Sequence, residues 1–380
     1  MWLLPLDRRA QETPDEPALA DDLNVLSWSA LGGQVTRAAA RLLEFAPGPD
    51  DRVTVLGDNA IPTLVAHLAG LRAGVGTVAT SRNLTSGELV DQITDAGVTG
   101  IITGPVGAGA ALDAARELGL PLVMHGTTAI GHAFDWDLRL AAAPAGRSLP
   151  TDRPARPQLV YTSGITGRAR ATEVRWVSGP VADASAYLAA MSAPPGFPLG
   201  PHLVCGRPLQ HNALLTSLRH LAAGQPVVVL GRFDAETFFY GVQKWQVSST
   251  VMVPTHFQRL LALPEEIRAR YGVSSLRQVS HTGSACPPDV KRAMIDWFGP
   301  VLTAVWRHRP SARPDSTASQ VSIGPDTTEP ANAYASAEAG KEPLPEPDEA
   351  SAKSALGQRE SRHSRPQTAT PWNRHPHRPG

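Results

Sequence analysis

Short β-branched runs and helix-period segments take turns along most of this chain, and that alternation narrows the fold more than any other property. The run Arg-Val-Thr-Val-Leu at 52–56 is a strand. Behind it, Gly57-Asp58-Asn59 can open a helix in which Leu64, Leu68 and Leu71 fall at helical spacing, with Gly74 as its stop. Residues 78–80 predict a second strand. Thr85 and Glu88 have the spacing of a capping box, in which the hydroxyl meets the third amide while the carboxylate reaches back. The pattern continues as a strand at 100–103, a helix at 110–118 and a strand at 120–124. It resumes with strands at 226–230, 250–253 and 276–280, and with helices from Asp234 to Trp245, Thr255 to Leu261 and Pro287 to Phe298. Such alternation implies parallel sheets covered by helices on both faces. The expected fold class is α/β, with two doubly wound subdomains at 1–172 and 173–306. Ligands in such folds sit in loops beyond the carboxyl ends of the strands.

The pattern stops at 306. Beyond it, the only Val, Ile, Leu, Met, Phe, Trp, Tyr or Cys residues are Val321, Ile323, Tyr334, Leu344, Leu356 and Trp372. So few apolar side chains cannot offset an ordering cost of ~1–2 kcal/mol per residue, and 307–380 is expected to be a disordered tail.

Composition removes several function classes. With 35 basic and 35 acidic side chains there is no positive excess to neutralise phosphates, so no nucleic-acid partner is expected. Two cysteines, Cys205 and Cys286, cannot make a disulfide framework and fit a reducing, cytoplasmic setting. The first ten residues have no long apolar core of the kind a secretion signal needs, and no stretch has the length and apolarity of a membrane span. No Cys-x-x-Cys or His-Glu-x-x-His pair is present, so no metal site is expected. Gly283-Ser284-Ala285 lacks the second glycine of a nucleophile elbow. Gly104 to Gly109 hints at a dinucleotide loop, but its spacing is incomplete and Pro105 removes an amide.

Three loops fall where a doubly wound fold does chemistry. The first is Tyr161-Thr162-Ser163-Gly164-Ile165-Thr166-Gly167-Arg168-Ala169-Arg170. Its glycines let backbone amides approach closely, its hydroxyls donate and its guanidinium groups neutralise charge, so it can wrap a polyphosphate. A glycine-rich surface turn would look the same by spacing alone. The second is Arg207-Pro208-Leu209-Gln210-His211-Asn212, whose histidine could equally be a hydrogen-bonded structural residue. The third is His281-Thr282-Gly283-Ser284-Ala285-Cys286-Pro287, which could border a planar base or be a plain connection.

Taken together, Tyr-Thr-Ser-Gly-x-Thr-Gly, Pro-Leu-x-His and Gly-Ser-Ala-Cys-Pro resemble the adenylate-forming superfamily of acyl-CoA synthetases, luciferases and peptide-synthetase adenylation domains. Arg232-Phe233-Asp234 and Lys291 to Phe298 are similar to bacterial fatty-acid–CoA ligases. The resemblance covers about 10–306. It implies that a carboxylate attacks the α-phosphate of ATP to form acyl-AMP, and that coenzyme A then displaces AMP. By the same resemblance Mg²⁺ accompanies the phosphates. Thr162, Ser163, Gly164, Thr166, Gly167 and Arg170 would hold the ATP phosphates, His211 would line the acyl pocket, and Gly283, Ser284 and Ala285 would border adenine.

The departures from the family are specific. Ile165 replaces a hydroxyl, Ala169 a proline, Arg170 a lysine and Ala171 a glycine, the last with expected loss of freedom at positive φ. After Val301-Leu302-Thr303 the family continues with a glutamate and then Tyr-Gly-x-Thr-Glu, whereas this chain reads Ala304-Val305-Trp306-Arg307-His308. The Trp codon TGG, read one base late after GTA, gives Tyr-Gly. With suitable codons, Ala-Thr follows, though the next codon cannot be Glu. A frameshift near Ala304, with 307–380 as out-of-frame translation, is one account; a natural tail is the other. In either case the Mg²⁺ glutamate, the ribose aspartate and the small C-terminal domain with its lysine are missing, so no catalytic residue is assigned. The expected function is that of a truncated fatty-acid–CoA ligase with little or no activity alone. The alternative is a non-catalytic nucleotide- or acyl-binding protein completed by a separately encoded C-terminal fragment.

Overall fold

The computed structural model describes residues 5–126, 130–143, 149, 153–162, 170–174, 183–191, 199–206, 208–307 and 321–323. In chain order the elements begin α1 (Pro5–Glu12), β1 (Pro17–Ala20), β2 (Val25–Ser27), α2 (Trp28–Phe45), β3 (Arg52–Leu56), α3 (Ile61–Ala73), β4 (Gly76–Thr80) and α4 (Ser86–Ala96). They continue with β5 (Val98–Thr103), α5 (Ala108–Leu118), β6 (Leu122–Met124), β7 (Phe134–Asp135), α6 (Trp136–Ala141), β8 (Leu159–Thr162), β9 (Arg170–Glu173), α7 (Ala184–Met191) and β10 (His202–Cys205). The remainder are α8 (Asn212–Ala222), β11 (Val227–Leu230), α9 (Ala235–Trp245), β12 (Ser249–Met252), α10 (Pro254–Leu261), α11 (Glu265–Arg268), β13 (Gln278–His281), α12 (Pro288–Phe298), β14 (Leu302–Arg307) and β15 (Val321–Ile323).

Two mostly parallel sheets result, as the alternation predicts. The first has the order β7-β6-β5-β3-β4-β8-β9 and the second β15-β14-β13-β12-β10-β11-β1-β2. Among the described residues antiparallel pairing is confined to the ends of the sheets, at β8–β9, β1–β2 and β14–β15. One continuous apolar core lies between the sheets. It takes Val53 and Val55 from β3, Val204 from β10, Val227 and Val229 from β11, and the buried faces of α2, α3 and α8. Outer cores back each sheet, with α4 and α5 behind the first and α9, α10 and α12 behind the second. The central helix α3 is apolar nearly all round because sheet and helices enclose it, and every residue from Leu64 to Leu71 is buried.

The structure departs from the chain-order division in one respect. β1 and β2 belong to the second sheet, where β1 runs parallel to β11 with Leu19 opposite Val227. The 4-residue run Pro-Ala-Leu-Ala carries too little β-branched character to announce itself, and its partner lies in the other half of the chain. Of the stretch expected to be disordered, the described residues are Arg307, which ends β14, and 321–323. Val321 and Ile323 are β-branched, and they form β15 opposite Arg307 and Val305. The rest of 307–380 lies outside the described residues. No described helix is long and apolar enough to cross a membrane.

Candidate functional site

β8 and β9 form the mouth of the first loop. Tyr161 pairs with Ala171 and Thr162 with Arg170, so the backbone of Thr162 stands where the loop leaves the sheet and Arg170 where it returns. Ser163, Gly164, Thr166 and Gly167 lie outside the described residues. The side chain of Arg170 is exposed. Ala171 sits in extended β9, and Gln246 is the one described non-glycine residue at positive φ. The expected penalty for losing glycine at 171 therefore does not arise. The strand end is anchored by Tyr161, whose hydroxyl donates to Asp95 Oδ2 at 2.6 Å and Gln92 O at 3.3 Å on α4. Burial, with the Asp95 carboxylate as acceptor and neighbour, raises the phenol pKa, so this hydroxyl stays protonated and donating.

The second and third loops meet. His211 is the N-cap position of α8, with φ −141° and ψ −134°, and its carbonyl accepts from Leu215 N at 3.0 Å. The next residue, Asn212, places Nδ2 3.4 Å from Thr282 Oγ1, in the turn that follows β13. Thr282 is held in place by its amide, which donates to Met252 O at 3.1 Å. Gly283 has φ +97°, a conformation that favours glycine, and a Cβ there would lie 3.3 Å from Val253 Cγ1. Gly283, Ser284 and Ala285 are exposed, so this turn offers bare backbone to solvent beside the start of α8. Both turns follow parallel strands at their carboxyl ends, where a doubly wound sheet opens its crevice. Asn212 and Thr282 stand in the second and third loops but were given no role from the sequence, and Val253 only ended a predicted strand. Their only signal was adjacency to the motif residues, because the contact depends on which strands are neighbours.

Other candidates drop out on geometry. The Gly104 turn that hinted at a dinucleotide site packs directly on the Asp58 carboxylate, a negative group where a phosphate would need donors. Asp58 itself pairs with Arg82 at 3.1 Å. Cys205 ends β10 buried, and burial together with Asp22 and Asp234 pushes its thiol up to about 12, so it is not a nucleophile near neutral pH. Among the described residues no group of three or more His, Cys, Asp or Glu side chains could hold a metal ion.

Residues 6–306 match the family described as AMP-binding enzyme. "4-coumarate--CoA ligase-like 8" of Arabidopsis thaliana is 25% identical over 281 residues, 71% of this chain and 50% of that protein. The "3-[(3aS,4S,7aS)-7a-methyl-1,5-dioxo-octahydro-1H-inden-4-yl]propanoyl:CoA ligase" of Mycobacterium tuberculosis is 28% identical over 300 residues, 75% of this chain and 57% of that protein. In fold the chain is similar to the amide bond synthetase McbA from Marinactinospora thermotolerans, with a TM-score of 0.64 and 21% identity, over 79% of this chain and 59% of that one. The chain thus spans about half the length of the relatives it matches. Because the match runs from the first helix to the last strand of the parallel sheets, the chain belongs to the AMP-binding enzyme family, within the adenylate-forming superfamily.

Proposed function

We propose that this chain is the nucleotide- and acid-binding part of an AMP-forming acid–thiol ligase that acts on a fatty acid, and that it has little or no activity alone. The observation that carries the reading is the Asn212–Thr282 contact. It sets the His211 loop beside the exposed Gly283–Ala285 backbone, so an acyl group and an adenine could occupy adjoining places. The carboxylate of the acid would attack the α-phosphate of ATP, with pyrophosphate leaving, and the thiol of coenzyme A would then displace AMP. Thr162 and Arg170 flank the phosphate loop at its two ends. No described cluster suits Mg²⁺, so no residue is assigned to it and no step is routed through it. The preference for a fatty acid rests on the resemblance of Arg232-Phe233-Asp234 and Lys291 to Phe298, and none of the relatives named above carries a fatty acid in its name.

Activity is expected to be weak because Ile165 cannot donate to a phosphate and because Ala304-Val305-Trp306 stands where the family carries its glutamate and Tyr-Gly. Each lost charged hydrogen bond removes roughly 1.5–3 kcal/mol, and two of them lower affinity by about two to four orders of magnitude. Calorimetric titration with ATP is therefore expected to give about millimolar affinity. ATP–pyrophosphate exchange with dodecanoic acid is expected to give at most a trace. Micromolar binding with robust, acid-dependent exchange would overturn the weak-activity part. Binding of neither ATP nor the acid would overturn the reading altogether.

A further inference from the structure

The turn Gly57-Asp58-Asn59 leaves the first sheet and meets the second at two points. At Gly57 the backbones converge, and a Cβ on this glycine would lie 2.7 Å from Leu209 O and 2.9 Å from Leu209 C. Gly57 is not at positive φ, so the conformation itself does not require glycine; the close approach does. At Asn59, Nδ2 donates to Leu230 O at 3.4 Å and to Gly231 O at 3.3 Å. Leu230 O also accepts from Gly206 N at 2.9 Å. Gly206 and Leu209 stand at the two ends of the stretch that leads into His211. Leu209 is fully buried in the shared core, so the stretch cannot lift away without exposing it.

We propose that Gly57 and Asn59 are positioning residues that set where His211 stands, so that the first sheet fixes the acyl side of a site carried by the second. Gly57 limits the approach from one side through Leu209, and Asn59 holds the other end through the Leu230 carbonyl. A side chain at 57 overlaps the Leu209 carbonyl, so this backbone, two residues before His211, must shift. The functional consequence rests on the reading of His211 as an acyl-pocket residue; the positional claim does not.

The test uses the full chain labelled with ¹³C,¹⁵N-histidine, the His211 resonances being assigned with His211→Asn. Gly57→Ala and Asn59→Ala are compared with Gly87→Ala, a matched control whose added Cβ meets nothing within 4 Å. Both seam variants are expected to move the His211 resonances and leave those of buried His67 in place, while the control moves neither. Calorimetry with a non-hydrolysable dodecanoyl-adenylate analogue is expected to show affinity lowered about tenfold in the seam variants, since small misplacements of site groups carry large costs. Unmoved His211 resonances in both variants overturn the proposal, and so does a moved resonance with unchanged affinity. If the wild-type chain does not bind the analogue, the acyl reading fails and the resonances alone decide the positional claim. Asn59→Ala adds no atoms, so it keeps the test in force should Gly57→Ala not fold.

Discussion

His202 and His220 stack inside the second half of the chain, with ring centroids 4.2 Å apart and planes 17° from parallel. Their protons follow from their partners. His220 Nδ1 lies 2.9 Å from Thr216 O, an acceptor, so that nitrogen carries the proton. Its Nε2 then accepts from Ser249 Oγ at 3.1 Å, and the serine oxygen accepts from His202 Nδ1 at 2.9 Å. Both rings are thus neutral. Burial lowers the His220 pKa to about 4, and burial together with the neighbouring imidazole lowers that of His202 well below 6.5. Burial alone lowers His67 to about 3, and burial lowers His125 to about 4 against the opposing pull of Asp58 and Asp21. In all four the unfolded chain binds protons more readily than the folded one. Their contribution to stability is therefore complete above the ordinary value of 6.5 and is lost progressively as pH falls below it, for His220 and His125 toward about 4 and for His67 toward about 3. Thermal melts are expected to be level between neutral and mildly alkaline pH and to drop below about pH 6.5; a flat acid limb would contradict this. Ser249→Ala strands two ring nitrogens and is expected to cost about 1–3 kcal/mol in urea denaturation.

Thr85 and Glu88 close both bonds of the predicted capping box at the start of α4. Thr85 Oγ1 accepts from Glu88 N at 3.4 Å, and Glu88 Oε2 accepts from Thr85 N at 2.9 Å. Thr85→Ala is expected to destabilise by about 0.5–2 kcal/mol, whereas Gly109→Ala in α5, whose Cβ would enter open space, is expected to stabilise by about 0.5–1 kcal/mol. Chemical denaturation of the two variants side by side checks both signs. Elements of this kind were legible because their signals are local: β3 from its β-branched run, α9 from the Asp234 cap, α3 from its leucines and terminal glycine. The strand β10 was not, since His-Leu-Val-Cys gives no alternation and is recognised as a strand only by its neighbours β11 and β12. The site divides in the same way. His211 and Gly283 were visible as motif members. Asn212–Thr282, Gly57–Leu209 and Asn59–Leu230 were not, because each joins segments far apart in the chain through a strand order that no local pattern encodes.

Trp28 lies fully buried in the layer between the two sheets, in the same apolar core as Val53 of β3 and Val229 of β11. A core held in common couples the sheets, so the described molecule is expected to unfold in one calorimetric transition. Trp28→Ala is expected to cost about 3–5 kcal/mol and to lower that single transition without splitting it. Two resolved transitions in the wild type would show that the sheets melt independently. The crossing of β1 into the second sheet also has a meaning in time. During synthesis β1 emerges some two hundred residues before its parallel partner β11. At ribosomal speeds of about 5–20 residues per second, β1 waits roughly ten to forty seconds before the strand it pairs with in parallel exists. Until then the nascent first sheet can close only on its own strands, and β1 has only β2 to pair with, so the second sheet cannot join its two portions before β11 is made.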